Sequence, residues 1–287
     1  EADWIEALDH GIVSQLVSDQ RPVVELKLEP LTEMEIRQIL GARLNHGEAV
    51  EQFCRQAEQQ GLMPVMGNPL FLRLMIEAAD TQGRLPETRS QTFERACQSL
   101  ALEANDVHRL EKRDRTPGTS ELLSHAGMMC AIQLLSGAEG WTEDPLNSPD
   151  ELHLKSLPLD VSQGVLRTAL ETKLFKSEGD SIQPVHRSVA EYLGAKEIAR
   201  RLRESALPVA RVLALMCAED GGIAQPLRGL HAWLAAHSPE HRLALIERDP
   251  LGVVLYGDVS DFSVKEKLHV LEALEREAKQ FAWFRNG

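Results

Sequence analysis

Apolar positions recur along most of this chain at spacings of three and four residues, the interval that returns side chains to one face of an α-helix. The exception lies near the start. Val23 to Leu28 (Val-Val-Glu-Leu-Lys-Leu) alternates between Pro22 and Pro30 and predicts a strand, after two short helical pieces at Asp3 to Leu8 and Ile12 to Val17. A single strand cannot pair its own backbone, so it is expected to join a sheet outside the chain or to lie against the helices. From Leu31 the pattern is helical. Thr32 with Glu35 three residues on forms a capping box, followed by the stripe Ile36, Ile39, Leu40 and Leu44. A second helix runs from about Glu48 to Gln60 and stops at Gly61. A third opens with Asn68 as cap and Pro69 in the first turn, its apolar face made of Leu70, Phe71, Leu74 and Met75. A fourth, about Thr88 to Ala104, carries Phe93, Ala96, Cys97 and Leu100.

Residues 105–118 break the pattern with interleaved charges and end at Pro117-Gly118. Beyond them come a helix (Thr119 to Leu135), a proline-rich loop (Glu143 to Pro158) and a helix (about Asp160 to Thr172). Leu174-Phe175-Lys176 and Ser181-Ile182-Gln183 then flank Glu178-Gly179-Asp180, which predicts a β-hairpin, and a long helix runs on to about Arg203. That order suits a winged-helix domain. After Leu207 short helices alternate with prolines; Ser238-Pro239 and Asp249-Pro250 are both expected to cap helices. The fold expected is mainly α, in four segments: 1–30, 31–105, 117–205 and 206–287.

Composition narrows the function. The 287 residues carry a formal net charge of -13, against the phosphate neutralisation a dedicated nucleic-acid binder needs. Cys54, Cys97, Cys130 and Cys217 are scattered without a C-x-x-C, and read as buried thiols in a reducing, cytoplasmic setting. No membrane-spanning run and no signal peptide is found; the start at Glu1, without Met, is expected to reflect processing or trimming.

Chemistry is sparse. No G-x-x-x-x-G-K-[ST] phosphate loop, G-x-S-x-G or H-E-x-x-H occurs. Gly67-Asn68-Pro69-Leu70 is a helix start whose amides and rigid ring also suit a nucleotide base; as bare sequence it is equally an ordinary cap. His186 opens another helix, where an imidazole can donate to a phosphate oxygen or simply be packed or solvated. His231, His237 and His241 are expected at the surface, because Pro239 separates the last two. Val253 to Asp258 mimics a strand ending in a magnesium-binding acid, a reading that lacks a phosphate loop beside it. Arg200, Arg201 and Arg203 are balanced by Glu197 and Glu204 and read as a solvated face.

Gly67-Asn68-Pro69-Leu70 and the later run Val185-His186-Arg187-Ser188-Val189-Ala190-Glu191-Tyr192-Leu193-Gly194-Ala195, in this order and separation, resemble the NACHT branch of the signal-transducing P-loop ATPases. The second run is similar to the family pattern Phe-x-His-x-Ser-h-x-Glu-h-h-x-Ala (h, hydrophobic), departing from it at Pro184 and Val185. Ala2-Asp3-Trp4-Ile5-Glu6-Ala7 resembles the stretch after the sensor arginine of bacterial members, and Val23 to Leu28 the last strand of their ATPase core. Leu31-Thr32-Glu33-Met34-Glu35-Ile36 resembles the start of the lid. Trp233, His241-Arg242 through Arg248-Asp249-Pro250, and Leu255 to Asp258 resemble the helices after the winged helix.

The resemblance implies a remnant of the nucleotide-binding core at 1–30, a helical lid domain at 31–105, a winged-helix domain at 117–205 and a second helical domain at 206–287. It implies that Pro69 packs on adenine, with Asn68 beside it, and that His186 reaches the β-phosphate of ADP. It implies ADP or ATP as ligand, with Mg²⁺ held by a core outside this sequence, so no catalysis by this part alone. Val189, Leu193 and Ala195 are expected to face inward, and Glu191 to tie the helix to a neighbour. The partners implied are an upstream core and effector, a downstream sensor and other copies on activation, in prokaryotic defence or signalling. Two other readings stay open: a winged-helix nucleic-acid regulator reading with the Asp160 to Thr172 helix and Arg167, and a ligand-free helical scaffold.

Overall fold

The computed structural model describes residues 29–44, 47–80, 82–102, 117–143, 150–157, 162–178, 181–218 and 221–280. The predicted strand Val23 to Leu28, the opening helical pieces and most of the charged linker lie outside them. Within the described residues the fold is mainly α, with one small mixed sheet.

Helix α1 (Glu33–Leu44) opens on the predicted capping box: the Thr32 amide donates to Glu35 Oε2 at 2.8 Å and the Glu35 amide to Thr32 Oγ1 at 3.4 Å. Its stripe is narrower than expected; Ile36 and Leu40 are buried while Ile39 reaches solvent. Helix α2 (Gly47–Gln59) ends before Gly61, whose φ of 64° is the left-handed conformation that favours glycine. After the single turn α3 (Met63–Met66) come α4 (Pro69–Ala78) and α5 (Arg89–Leu102). Thr88 caps α5, accepting from the Gln91 amide at 3.2 Å. Helices α1 to α3 bury Ile36, Leu40, Phe53, Ala57 and Leu62 in a small core that takes Leu72 and Met75 from α4. The other face of α4 (Phe71, Leu74, Ala78) and the apolar face of α5 enter a second, larger core.

That larger core is organised by α6 (Thr119–Ser136) and α8 (Arg187–Arg203). They approach closely through glycine: a Cβ on Gly127 would sit 2.7 Å from the Leu193 carbonyl oxygen, and one on Gly194 would sit 3.1 Å from the Ala131 amide nitrogen. Between them lie β1 (Trp141–Thr142), β2 (Leu152–His153), a 3-10 turn at Leu154–Ser156, α7 (Gln163–Leu170), β3 (Phe175–Glu178) and β4 (Ser181–Pro184). The sheet order is β2-β1-β4-β3, with β1 parallel to β2. The predicted hairpin is present, with Glu178 opposite Ser181. Two expectations change. The proline-rich stretch contains a strand, since Leu152 and His153 pair with Trp141 and Thr142. Helix α7 begins at Gln163, because Ser162 supplies its cap, accepting from Val165 at 3.5 Å.

The last part comprises α9 (Val209–Met216), a 3-10 turn at Gln225–Leu227, α10 (Arg228–His237), α11 (Arg242–Ile246), α12 (Pro250–Tyr256) and α13 (Val264–Gln280). Asp249 caps α12 as predicted, accepting from Gly252 at 2.8 Å. Ser238-Pro239 does not cap a helix. It forms a turn, with the His241 amide donating to the Ser238 carbonyl at 3.1 Å, and α11 starts later. Arg242 explains the delay: buried, it donates to the Ala235 and Ala236 carbonyls at 2.9 Å each and closes the C-terminal end of α10. Val253 to Asp258, the stretch resembling a strand, is the second half of α12 and the turn after it.

Candidate functional site

Two helix starts meet. Asn68 precedes α4; its Oδ1 accepts from the Phe71 amide at 3.3 Å and its carbonyl from Leu72 at 3.0 Å. Pro69 takes the first helical position, where its missing N–H is no loss, and its ring is exposed. Gly67 is buried and accepts from the Leu31 amide at 2.8 Å, which ties the start of α4 to the chain entering α1.

His186 caps α8. Its extended backbone (φ −158°, ψ 146°) aims the ring back over the helix, and Nδ1 accepts from the Ser188 amide at 3.1 Å. That bond decides the tautomer: with its Nδ1 lone pair in use, the neutral ring carries its proton on Nε2. Nε2 lies 3.4 Å from Asn68 Nδ2, across 118 residues of sequence. Asn68 Oδ1 is committed to Phe71, so Nδ2 is the atom that faces the ring. Both facing groups are therefore N–H donors. An acceptor oxygen placed before both would suit the pair. The Phe71 ring meets the imidazole edge-on, centroids 5.0 Å apart at 89°, and fixes its tilt.

Burial lowers the pKa of His186, and the Lys176 ammonium on β3 adds to the effect. The imidazole at neutral pH is thus an uncharged donor, with a cation close enough to disfavour its protonation. The structure brings His186 and Asn68 together and sets Pro69 in the exposed first turn alongside. The remainder of the motif is structural: Val189, Leu193 and Ala195 are buried, as predicted. Glu191 accepts from Arg187 at 3.0 Å and lies against Gly229, where any Cβ would collide with its carboxyl group. Burial raises its pKa.

The other histidines depart from expectation. His231 is fully buried. His237 stacks on Trp233 (5.9 Å, 18°) and meets the Tyr192 ring at 5.0 Å. Helix α10 is enclosed by α8, α12 and α11, which buries His231 completely; His237 and His241 are half-buried. Among the described residues no group of three His, Cys, Asp or Glu side chains is placed to hold a metal ion. Of the cysteines, Cys54, Cys97 and Cys130 are buried free thiols and Cys217 is half-buried. Desolvation pushes the Cys130 thiol up to about 12. Among the described residues no helix is long and apolar enough to cross a membrane.

A polar seam that the sequence did not announce joins α5 to the later helices. Asp258 accepts from the Ser90 amide at 2.6 Å, and Arg89 donates to the Leu255 and Gly257 carbonyls at 3.3 Å. Tyr192 donates to Glu94 at 2.7 Å, and Lys196 pairs with the same carboxylate. Phe93 packs between the rings of Tyr192 (5.4 Å) and Trp233 (5.0 Å). A cleft of about 410 Å³ between α5, α6 and α8 lies beside this seam. Two of its cations are paired, Lys196 with Glu94, and Arg200 with Glu197 at 2.7 Å and Glu204 at 2.6 Å, while Arg203 donates to the His237 carbonyl at 3.2 Å. The buried Glu197 also holds Arg201 at 2.7 Å, so the basic cluster is balanced as predicted. The two helix starts instead bring the Asn68 amide and the His186 ring side by side. No protein-family model matches the chain, and no curated protein matches it significantly.

Proposed function

We propose that this chain is the regulatory part of a nucleotide-dependent switch, in which a helical lid and a winged-helix domain clamp ADP in the resting state. One observation carries the reading: Asn68 and His186, 118 residues apart, converge at 3.4 Å as two donors, with the exposed ring of Pro69 on the adjoining turn. A neutral Nε2–H and an amide N–H suit a phosphate oxygen. The start of α4 adds the favourable end of a helix dipole. The rigid, apolar proline ring beside them suits packing on a purine. The resemblance to NACHT ATPases supports the same ligand, with Mg²⁺ and catalysis supplied by an upstream core, and cytoplasmic defence or signalling as the setting. Exchange for ATP would loosen the clamp and permit oligomerisation. Such a switch works only if the clamp contacts differ between the two nucleotide states.

A nucleic-acid-binding reading gains no support. The would-be reading helix α7 has one arginine, Arg167, and Glu143 lies 3.4 Å from it. The test of the switch is nucleotide release from the protein that carries the upstream core. His186→Ala is expected to speed ADP release and raise basal activity. Pro69→Ala is expected to weaken ADP and ATP alike, since both carry adenine. Unchanged ADP release in His186→Ala would remove the clamp.

A further inference from the structure

Helix α13 has two apolar faces, and the fold uses one. Val270 and Ala273 are buried against α11 and α12, with Leu274 packed beside them. On the opposite side Val264, Leu268 and Leu271 stand at i, i+4 and i+7 and are 77%, 54% and 62% exposed. A helix that only covers a core needs a single stripe. The second stripe follows the three-four spacing of a helix-pairing seam and continues to Glu275. One flank of it carries Lys265 and Glu272, seven residues and so nearly two turns apart. The ion pairs of α13 among the described residues join Glu266 to Arg242, His269 and Arg276 to Glu247, and Glu275 to Lys279. Lys265 and Glu272 take part in none of them.

We propose that this face binds a second copy of the chain, with the two α13 helices packed antiparallel about a two-fold axis between Leu268 and Leu271. The charge pattern chooses both occupant and direction. Run antiparallel, Leu268 of one copy meets Leu271 of the other, and Val264 lies on the aliphatic stem of Glu275. Lys265 then comes opposite Glu272, and the symmetry makes that pair twice. Run parallel, Glu275 would face its own equivalent in the seam. The face is thus complementary to itself reversed, a property that an unrelated partner does not require. Its small footprint places the dimer in the weak, transient class. The inference does not depend on the nucleotide site, which lies on other helices.

The test is sedimentation equilibrium of the intact chain from micromolar to millimolar concentration. The wild type is expected to show a monomer–dimer equilibrium, and Leu268→Glu to remain monomeric throughout. Lys265→Glu and Glu272→Lys should each weaken the dimer about tenfold, since each turns two attractive pairs into repulsive ones. The double exchange should return it to within about threefold of the wild type. All three positions are solvent-facing, so circular dichroism should show the same fold and melting temperature in every variant. Three results would overturn the proposal: a wild type that is monomeric at every concentration, a dimer indifferent to Leu268→Glu, or single charge reversals that the double exchange fails to rescue.

Discussion

Acidification should weaken this fold well before its carboxylates are protonated. The perturbation is the charging of His231 and His237. Burial drives both pKa values down to about 4; Arg228 adds to the effect at His231, and Lys196 and Arg203 at His237. In the unfolded chain both rings titrate at the ordinary 6.5. Between pH 6.5 and about 4 the unfolded state therefore holds more protons, and linkage makes stability fall as pH falls. Above that window the contribution is fully present. At pH 5 each ring has lost about 2 kcal/mol, or about 4 kcal/mol together, set against a total of roughly 5–15 kcal/mol for a typical domain.

Two carboxylates act against this loss: burial raises the pKa values of Glu191 and Glu277, so they take up protons more readily in the folded state and offset part of the histidine term. Glu94 and Glu197 have lowered pKa values because Lys196 and Tyr192, and Arg200 and Arg201, hold them against burial. Their contribution is lost only below the ordinary 4.5. The assay is urea unfolding at pH 7, 6 and 5, followed by near- and far-ultraviolet circular dichroism. The variants are His231→Leu and His237→Phe, the second keeping a ring between Tyr192 and Trp233. Each should reduce the loss at pH 5 by about 2 kcal/mol, and the pair by about 4 kcal/mol. A wild type that loses less than about 1 kcal/mol between pH 7 and 5, or a double variant that keeps the full loss, would refute the reasoning.

Gly127→Ala should destabilise by about 1–3 kcal/mol in the same assay, because its Cβ would press on the Leu193 carbonyl at 2.7 Å and on Glu197 Cβ at 3.0 Å. Gly164→Ala, with nothing within 4 Å of its Cβ, should instead stabilise α7 by about 0.5 kcal/mol. Arg242→Lys should cost about 2–4 kcal/mol in thermal unfolding, since an ammonium cannot serve Ala235, Ala236 and Glu266 while lying flat on Phe262 at 4.3 Å. If ADP binds at His186, the added anion should raise a pKa that burial and Lys176 now depress. ADP affinity should then increase as pH falls from 7 toward 6, and isothermal titration in buffers of different ionisation enthalpy should register proton uptake that His186→Ala abolishes.

What the sequence disclosed was local. The Thr32–Glu35 box, the Asn68 cap and the Glu178–Ser181 hairpin each depend on residues a few positions apart, so composition alone specifies them. The pairing of Leu152 with Trp141 is two residues long and parallel, and leaves no alternation to read. Ser238-Pro239 has the composition of a cap, yet Arg242, three residues beyond it, closes the preceding helix, and the chain turns instead. His231 did carry a signal that was missed: its neighbours Leu230, Ala232, Trp233 and Leu234 are all buried, so no orientation of the helix would have exposed it. The meeting of Asn68 and His186 is different in kind. It follows from the packing of α4 against the later helices, and nothing in either segment's own spacing encodes it; only the resemblance suggested it.

The distribution of buried apolar surface bears on how a switch built this way would open. Helix α5 gives Phe93, Ala96, Cys97, Leu100 and Ala101 to the larger core, and is fastened there by Asp258 at its N-terminus and by Tyr192 and Lys196 through Glu94. Parting α5 from α8 would expose all of these, at about 1.5–3 kcal/mol for each large side chain, besides the polar seam. Helix α4 enters that core with Phe71, Leu74 and Ala78, packed chiefly on α5, while Leu72 and Met75 join it to α1–α3. A rotation that carries α4 away from α8 parts the two helix starts. The seam it opens passes between Asn68 and His186, with Phe71 on the moving side and the imidazole on the other. A ligand bridging those two residues would touch both banks of that seam, so a difference in its contacts between two nucleotide states would bias the opening directly.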